Sequence, residues 1–344
     1  MVRPNHTRLT TVVRTPFQLR HDRVHLDALA VHTPNTLPTD WRLARNIWMN
    51  RTLRRFFKTS QAVLLVIGCM HAKANVHGEF VPKKSQWQGP RGLNIPDAKS
   101  KAVVLFLHGS MVEKIDDTCD PNGQTPGFSV PEVIKQLAGT EVAGLEVVVF
   151  APCDGRATNF GEPIKIEQRV AAIEQTLGAL SRAGVEPSQI FLMGQSAGGW
   201  AALLHQKRYP GSVNSVVAFA PAFAGKKQWR PDIWQRRHET QSAEIQSAAR
   251  ISALIFAFEN DEYNTPDDLA FLTSIEGTTV LRMPDKTIAG VACEIPLFAS
   301  SHGQVYRKCF GDTQTKVLLD YLRQRLQSAA TAASEASTGG PMAD

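Results

Sequence analysis

Six short, largely apolar runs constrain this chain more than any other feature. They cover residues 102–107, 146–151, 189–193, 214–220, 251–258 and 278–281, each of strand length. Helical patterns lie between several of them. Ile166, Val170, Ile173, Leu177 and Leu180 recur every three or four positions, residues 200–204 open a second helix, and 317–326 form a last amphipathic one. A strand that is apolar throughout has no face to offer water, so helices must cover both sides of the sheet it joins. That condition points to an α/β fold with a mostly parallel sheet. No internal repeat is present. Residues 75–100 are polar and rich in Pro and Gly, and read as a linker or an edge segment. The stretch 224–250 is too long for an ordinary connection between strands. Its Trp229 and Trp234 suit either a small cap over a pocket or a plain surface helix. Residues 328–344, rich in Ala, Ser, Thr and Gly, read as a disordered tail.

The charge balance looks basic until it is divided. Of 38 Lys and Arg and 32 Asp and Glu, residues 1–74 hold 12 and 3, which leaves 75–344 with 26 against 29. The net charge of +6 therefore belongs to the N-terminal segment, and the charge balance gives no support for a phosphate-binding surface on the body. Nucleic acid is not an expected partner. With 43% hydrophobic residues the body can bury a sizeable core, and no eighteen-residue apolar window supplies a membrane span.

That N-terminal segment has the pattern of an export signal. Arg51, Arg54, Arg55 and Lys58 precede an apolar core from Ala62 to Met70, followed by the small residues of Ala72-Lys73-Ala74. A signal over 49–74 makes Met49 the expected start, with 1–48 an over-extended gene reading. Cleavage would fall after Ala74. Val66-Ile67-Gly68-Cys69 also resembles a bacterial lipobox, and lipidation at Cys69 would be the one route to a membrane. Either cut leaves Cys119, Cys153, Cys293 and Cys309 in the body, an even number in an oxidising compartment.

Chemistry concentrates at Gly194-Gln195-Ser196-Ala197-Gly198, a G-x-S-x-G run between a strand and a helix. A sharp strand-to-helix turn lifts a serine hydroxyl clear of the sheet, and small residues are needed where the backbone closes on itself. The helix N-terminus beneath favours developing negative charge. A serine nucleophile needs a base, and the base needs an orienting acid. His77, His108, His205, His238 and His302 are the histidines of the body. His302, in a loop after the last strand, is placed to reach back across the sheet. Asp261 sits a few residues past the end of the run 251–258, with Glu259 and Glu262 as alternatives.

The region from Lys101 to about Gln327 resembles the α/β-hydrolase superfamily. The likeness rests on Phe106-Leu107-His108-Gly109-Ser110 after an early strand, the turn at Ser196, and the order Ser196, Asp261, His302. It implies the α/β-hydrolase fold. It also implies an oxyanion hole built from the N–H of Ala197 and that of Ser110 or Met111, with His108 structural. Pro152-Cys153-Asp154-Gly155-Arg156 resembles a loop of dienelactone-hydrolase-like members, but lacks its second Gly and carries no role across. The expected activity is that of a secreted serine hydrolase acting on a small carboxylic ester. Its rivals are a peptidase of prolyl-oligopeptidase type and a non-catalytic envelope binding protein. No cofactor and no metal are expected, since the chain has no CxxC, no HExxH and no phosphate-cradling Gly loop. Cys293 and Cys309 bracket His302 and are expected to pair, because an unsupported loop would not hold the base in place. Cys119–Cys153 is then the remaining pair.

Overall fold

The structure is a computed structural model; it describes residues 76–110, 130–153, 163–285, 287–288, 290–293 and 301–338. The readings on 1–75, including the export signal, Cys69 and the Met49 start, lie outside the described residues. So do Met111 and Cys119.

An eight-stranded sheet forms the centre. Its strands are β1 (Gly78–Val81), β2 (Lys101–Leu107), β3 (Glu141–Val142), β4 (Leu145–Pro152), β5 (Ile190–Gln195), β6 (Ser215–Phe219), β7 (Arg250–Phe258) and β8 (Glu276–Met283). They lie in the order β1-β4-β2-β5-β6-β7-β8, with β3 beside β4. From β4 across to β8 every neighbouring pair is parallel, while β1 and β3 run antiparallel to β4. Each of the six apolar runs is a strand of this sheet. The segment 75–100 supplies the edge strand β1, whose Phe80 is fully buried against Phe150 of β4.

The described helices are α1 (Glu132–Lys135), α2 (Pro163–Arg182), α3 (Ala197–Arg208), α4 (Pro231–Gln246) and α5 (Lys308–Thr338). Alternation along the strands sorts the core into two layers. On β2, Val103, Leu105 and Leu107 face one layer with Ile166, Val170 and Ile173 of α2 and Trp200 of α3. Ala102, Val104 and Phe106 face the other, with Phe310, Leu318 and Leu322 of α5. Both faces of the sheet are thus buried, as strands without a polar side demand. Arg208, at the end of α3, ties the outer layer by donating to Glu244 of α4 and Glu167 of α2.

Two expectations need correction. The helix α5 continues to Thr338, so the tail expected to be disordered from 328 is helical over most of its length. The run Ser328-Ala329-Ala330-Thr331-Ala332-Ala333 is rich in the best helix former, and it extends a helix already nucleated by packing. Residues 339–344 lie outside the described residues. The segment 224–250 holds the crossover helix α4 between β6 and β7 rather than a cap. Trp234 stacks on His238 with ring centroids 4.6 Å apart, and His238 packs against Trp200 of α3. Ile245 enters the core layer beneath. Among the described tryptophans only Trp229 stands in water, 67% exposed.

Candidate active site

The strand β5 ends at Gln195 and the helix α3 begins at Ala197, so the chain reverses on Ser196 alone. That residue sits at φ 53° and ψ −121°, a backbone region that costs a side-chain-bearing residue roughly 1–3 kcal/mol. Three backbone hydrogen bonds hold it there. Its N–H donates to Phe219 O at 2.9 Å, and its carbonyl accepts from Trp200 at 3.0 Å and Ala222 at 3.2 Å. The two flanking glycines are steric requirements. A Cβ on Gly198 would lie 2.1 Å from Leu107 O, and one on Gly194 would lie 2.4 Å from the backbone of Gly198. No larger residue lets the start of α3 press this closely against β2 and β5.

Asp261 and His302 are brought together from 41 positions apart. After β7 the chain turns through Asn260 at φ 58° and buries the Asp261 carboxylate completely. Its Oδ1 accepts the Tyr263 N–H at 2.8 Å, and its Oδ2 faces His302 Nδ1 at 2.8 Å. Glu259 is exposed, and Glu262 pairs with Lys226 at 2.8 Å. Of the three carboxylates open to the sequence reading, the structure places only Asp261 on the imidazole. His302 lies in a short 3-10 turn, Ser301–Tyr306, with its ring 4.2 Å from that of Tyr263. Burial, with the charges of Glu262 and Asp261 behind it, pushes the Tyr263 phenol up to about 12. A neutral phenol keeps a second anion away from the imidazole.

Ser196 and His302 line one cavity of about 200 Å³, together with Ser110, Gln195, Phe223 and Tyr263 among others. Gly225 is the one residue of the stretch 224–250 in its wall. The N–H of Ala197 belongs to the first turn of α3, where backbone donors have no partner within the helix and the dipole is positive. Ser110 is in the cavity wall. The other histidines lie elsewhere. His205 is fully buried on α3 with its Nε2 on Glu174, and burial holds its pKa below the usual value despite that carboxylate. His108 Nδ1 lies 2.7 Å from Gly109 O. Among the described residues no group of three or more His, Cys, Asp or Glu is arranged to hold a metal ion.

Two residues support the site through contacts that the sequence does not mark. Gln195, the variable position of the motif, is buried and donates from Nε2 to His302 O at 3.2 Å, tying the serine turn to the histidine turn. Trp234 donates to Tyr263 O at 3.0 Å, so α4 braces the Asp261 loop from behind. Both contacts join residues 29 to 107 positions apart, and no periodicity in a single sequence reports them.

Cys293 and Cys309 form a disulfide with their Cα atoms 5.6 Å apart. Cys309 is the second residue of α5, so the bridge pins the chain on either side of the His302 turn to a helix rather than joining two irregular ends. Cys153 is also disulfide-bonded, and Cys119, its expected partner, lies outside the described residues. Closing a loop of this length contributes about 3 kcal/mol in the chain-entropy model. Mild reduction should therefore lower activity, by about tenfold or more, while the far-ultraviolet circular dichroism of the sheet persists. Full activity in the reduced protein, with free thiols counted, would show that other contacts hold His302.

No protein-family model matches the chain, and no curated protein matches it in sequence. Solved structures are similar to it in shape. A CIB-like hydrolase from Thermoplasma acidophilum shares 15% identity over 72% of this chain and 98% of its own, with a TM-score of 0.40. An esterase from Thermogutta terrifontis shares 15% over 79% and 96%, at 0.40. A prolyl endopeptidase shares 13% over 68% of this chain and 36% of its own, at 0.43. The strand order, the antiparallel edge strand β1 and the single-residue turn at Ser196 between β5 and α3 are those of the α/β-hydrolase fold.

Proposed function

We propose that the protein is a serine hydrolase that cleaves a carboxylic ester through an acyl-enzyme on Ser196. One observation carries the reading: a serine held in a strained strand-to-helix turn shares a cavity with a histidine whose far nitrogen rests on a buried carboxylate. A carboxylate only accepts, so His302 Nδ1 carries the proton and Nε2 presents a lone pair. In the proposed reaction Nε2 takes the Ser196 proton as Oγ attacks the ester carbonyl. Collapse of the tetrahedral intermediate expels the alcohol, which receives that proton from His302. Water, activated by the same nitrogen, then releases the acid and restores the serine. Asp261 orients the ring and stabilises the imidazolium. The N–H groups of Ala197 and of the loop at Ser110 hold the oxyanion.

The test pairs a fluorophosphonate probe with two substrate panels, p-nitrophenyl esters and aminoacyl amides. Labelling at Ser196 with turnover of the esters supports the reading. Turnover of the amides in preference to the esters would assign a peptidase, and a serine that takes no probe would assign a binding protein.

We further propose that the active form is exported, a reading that rests on the signal-like pattern over 49–74 and fits the disulfides of the body. Expression from Met49 should give the same active product, beginning at Asn75 or at a lipidated Cys69. Peptides from residues 1–48 recovered from the native host would refute the start at Met49.

A further inference from the structure

Arg169 lies in the middle of α2, 6% exposed, with Val170 and Ile173 beside it packed in the core. Its guanidinium reaches a loop 60 positions earlier in sequence. Nη1 donates to His108 O at 2.9 Å and Nη2 to Gly109 O at 3.1 Å. The fork thus holds two successive carbonyls, a geometry that a guanidinium provides and an ammonium does not. Gly109 O is also met by His108 Nδ1 at 2.7 Å, and a carbonyl only accepts, so that nitrogen bears its proton.

The loop has two faces. Leu107 and His108 line a small apolar cavity with Arg169, Ile173 and Ala201, while Ser110 lines the cavity of Ser196 and His302. Gly109 passes directly over the nucleophile: a Cβ there would lie 3.1 Å from Ser196 Cβ and 2.2 Å from Gln195 Oε1. In a trans peptide the C=O of one residue and the N–H of the next point in opposite directions. The Gly109 carbonyl is turned to Arg169, so the Ser110 N–H of the same peptide is turned away from Arg169. Hydrogen bonds on that carbonyl also polarise the peptide and strengthen its N–H as a donor.

We propose that Arg169 is a positioning residue that sets the oxyanion hole, holding the His108-Gly109-Ser110 loop so that the N–H of Ser110 meets the developing oxyanion. This inference rests on the serine-hydrolase reading above. It predicts an effect confined to the transition state, because an oxyanion donor binds the tetrahedral species and contributes little to the ground-state ester.

The experiment compares wild type with Arg169→Lys and Arg169→Met on a p-nitrophenyl ester, and measures their affinity for a boronic acid that forms a tetrahedral adduct on the serine. Thermal unfolding and circular dichroism identify the variants that fold. Arg169→Met should lose about 100-fold in kcat with KM within about twofold, and boronate affinity should fall in parallel. Arg169→Lys keeps the charge but not the fork, and should lose about tenfold in kcat. Millimolar methylguanidine should restore part of the activity of Arg169→Met. A folded Arg169→Lys with wild-type kcat and boronate affinity would overturn the proposal. So would a loss shared equally between kcat and KM and accompanied by a fall in melting temperature, which is the mark of a merely structural role. Wild-type protein that neither turns over esters nor takes a fluorophosphonate would instead remove the hydrolase reading, and this inference with it.

Discussion

Ser196→Ala should reduce ester turnover by about 10⁵-fold or more, to a residual rate near background, while the protein folds as before. The two halves of this expectation come from different atoms. Turnover depends on Oγ, for which alanine has no substitute. Folding depends on the backbone of residue 196, whose N–H and carbonyl make three hydrogen bonds that the substitution leaves in place. Alanine meets the same steric cost at φ 53° as serine does, so the change in stability should stay within about 1 kcal/mol. Ser196→Gly sharpens the test, because glycine adopts positive φ freely. It should be as inactive as the alanine variant and at least as stable as wild type. Stopped-flow and steady-state assays with a p-nitrophenyl ester, beside thermal unfolding, check both. Turnover within tenfold of wild type in either variant would remove Ser196 from the mechanism.

The sheet was legible because its strands are uniformly apolar, and burial on both faces leaves helices as the only cover. The turn at Ser196 was legible because its glycines answer a steric demand visible in the motif alone: Gly194 and Gly198 each have backbone where a Cβ would sit. The choice among Glu259, Asp261 and Glu262 was different in kind. Three acids within four residues have similar propensities, and only the reversal at Asn260 decides which side chain turns inward. The role of α4 was beyond the sequence for a related reason. Trp229 and Trp234 are alike as letters, yet Trp234 packs on His238 while Trp229 stands in water.

The polar supports of the site were the least legible. Gln195 acts through one hydrogen bond and Arg169 through two, all to carbonyls far away in sequence, with no spacing or composition to mark them. A buried polar group must find a partner, but which partner it finds is a property of the finished fold. The tail shows the converse failure. Ala, Ser, Thr and Gly together suggest disorder by composition, whereas local helix propensity and the packed helix before it carry α5 to Thr338.

Asp261→Asn should cost about 10⁴-fold in kcat at neutral pH, through the proton on His302 rather than through any loss of packing. The carboxylate has two partners: the Tyr263 N–H on Oδ1 and His302 Nδ1 on Oδ2. An asparagine has one oxygen and one NH₂ to fill the same positions. The Tyr263 N–H can only donate, so it claims the amide oxygen, and the NH₂ is left against His302 Nδ1. Two donors cannot face each other, so Nδ1 gives up its proton and the ring adopts the tautomer with hydrogen on Nε2. That nitrogen can then no longer accept the Ser196 proton. The variant should fold with unchanged circular dichroism, because the side chain keeps its shape and both hydrogen bonds. KM should move little, since Asp261 is fully buried and is not in the wall of the cavity. Glu259→Gln and Glu262→Gln serve as controls and should stay within about threefold of wild type: one side chain stands in solvent, and the other is turned to Lys226 in a half-buried pair and does not meet the imidazole. Titrating the His302 ring nitrogens by NMR separates this account from its rival. The Nδ1 proton should be present in wild type and absent in Asp261→Asn. A variant that loses activity but keeps that proton would mean that Asp261 acts by charge alone and not by fixing the tautomer.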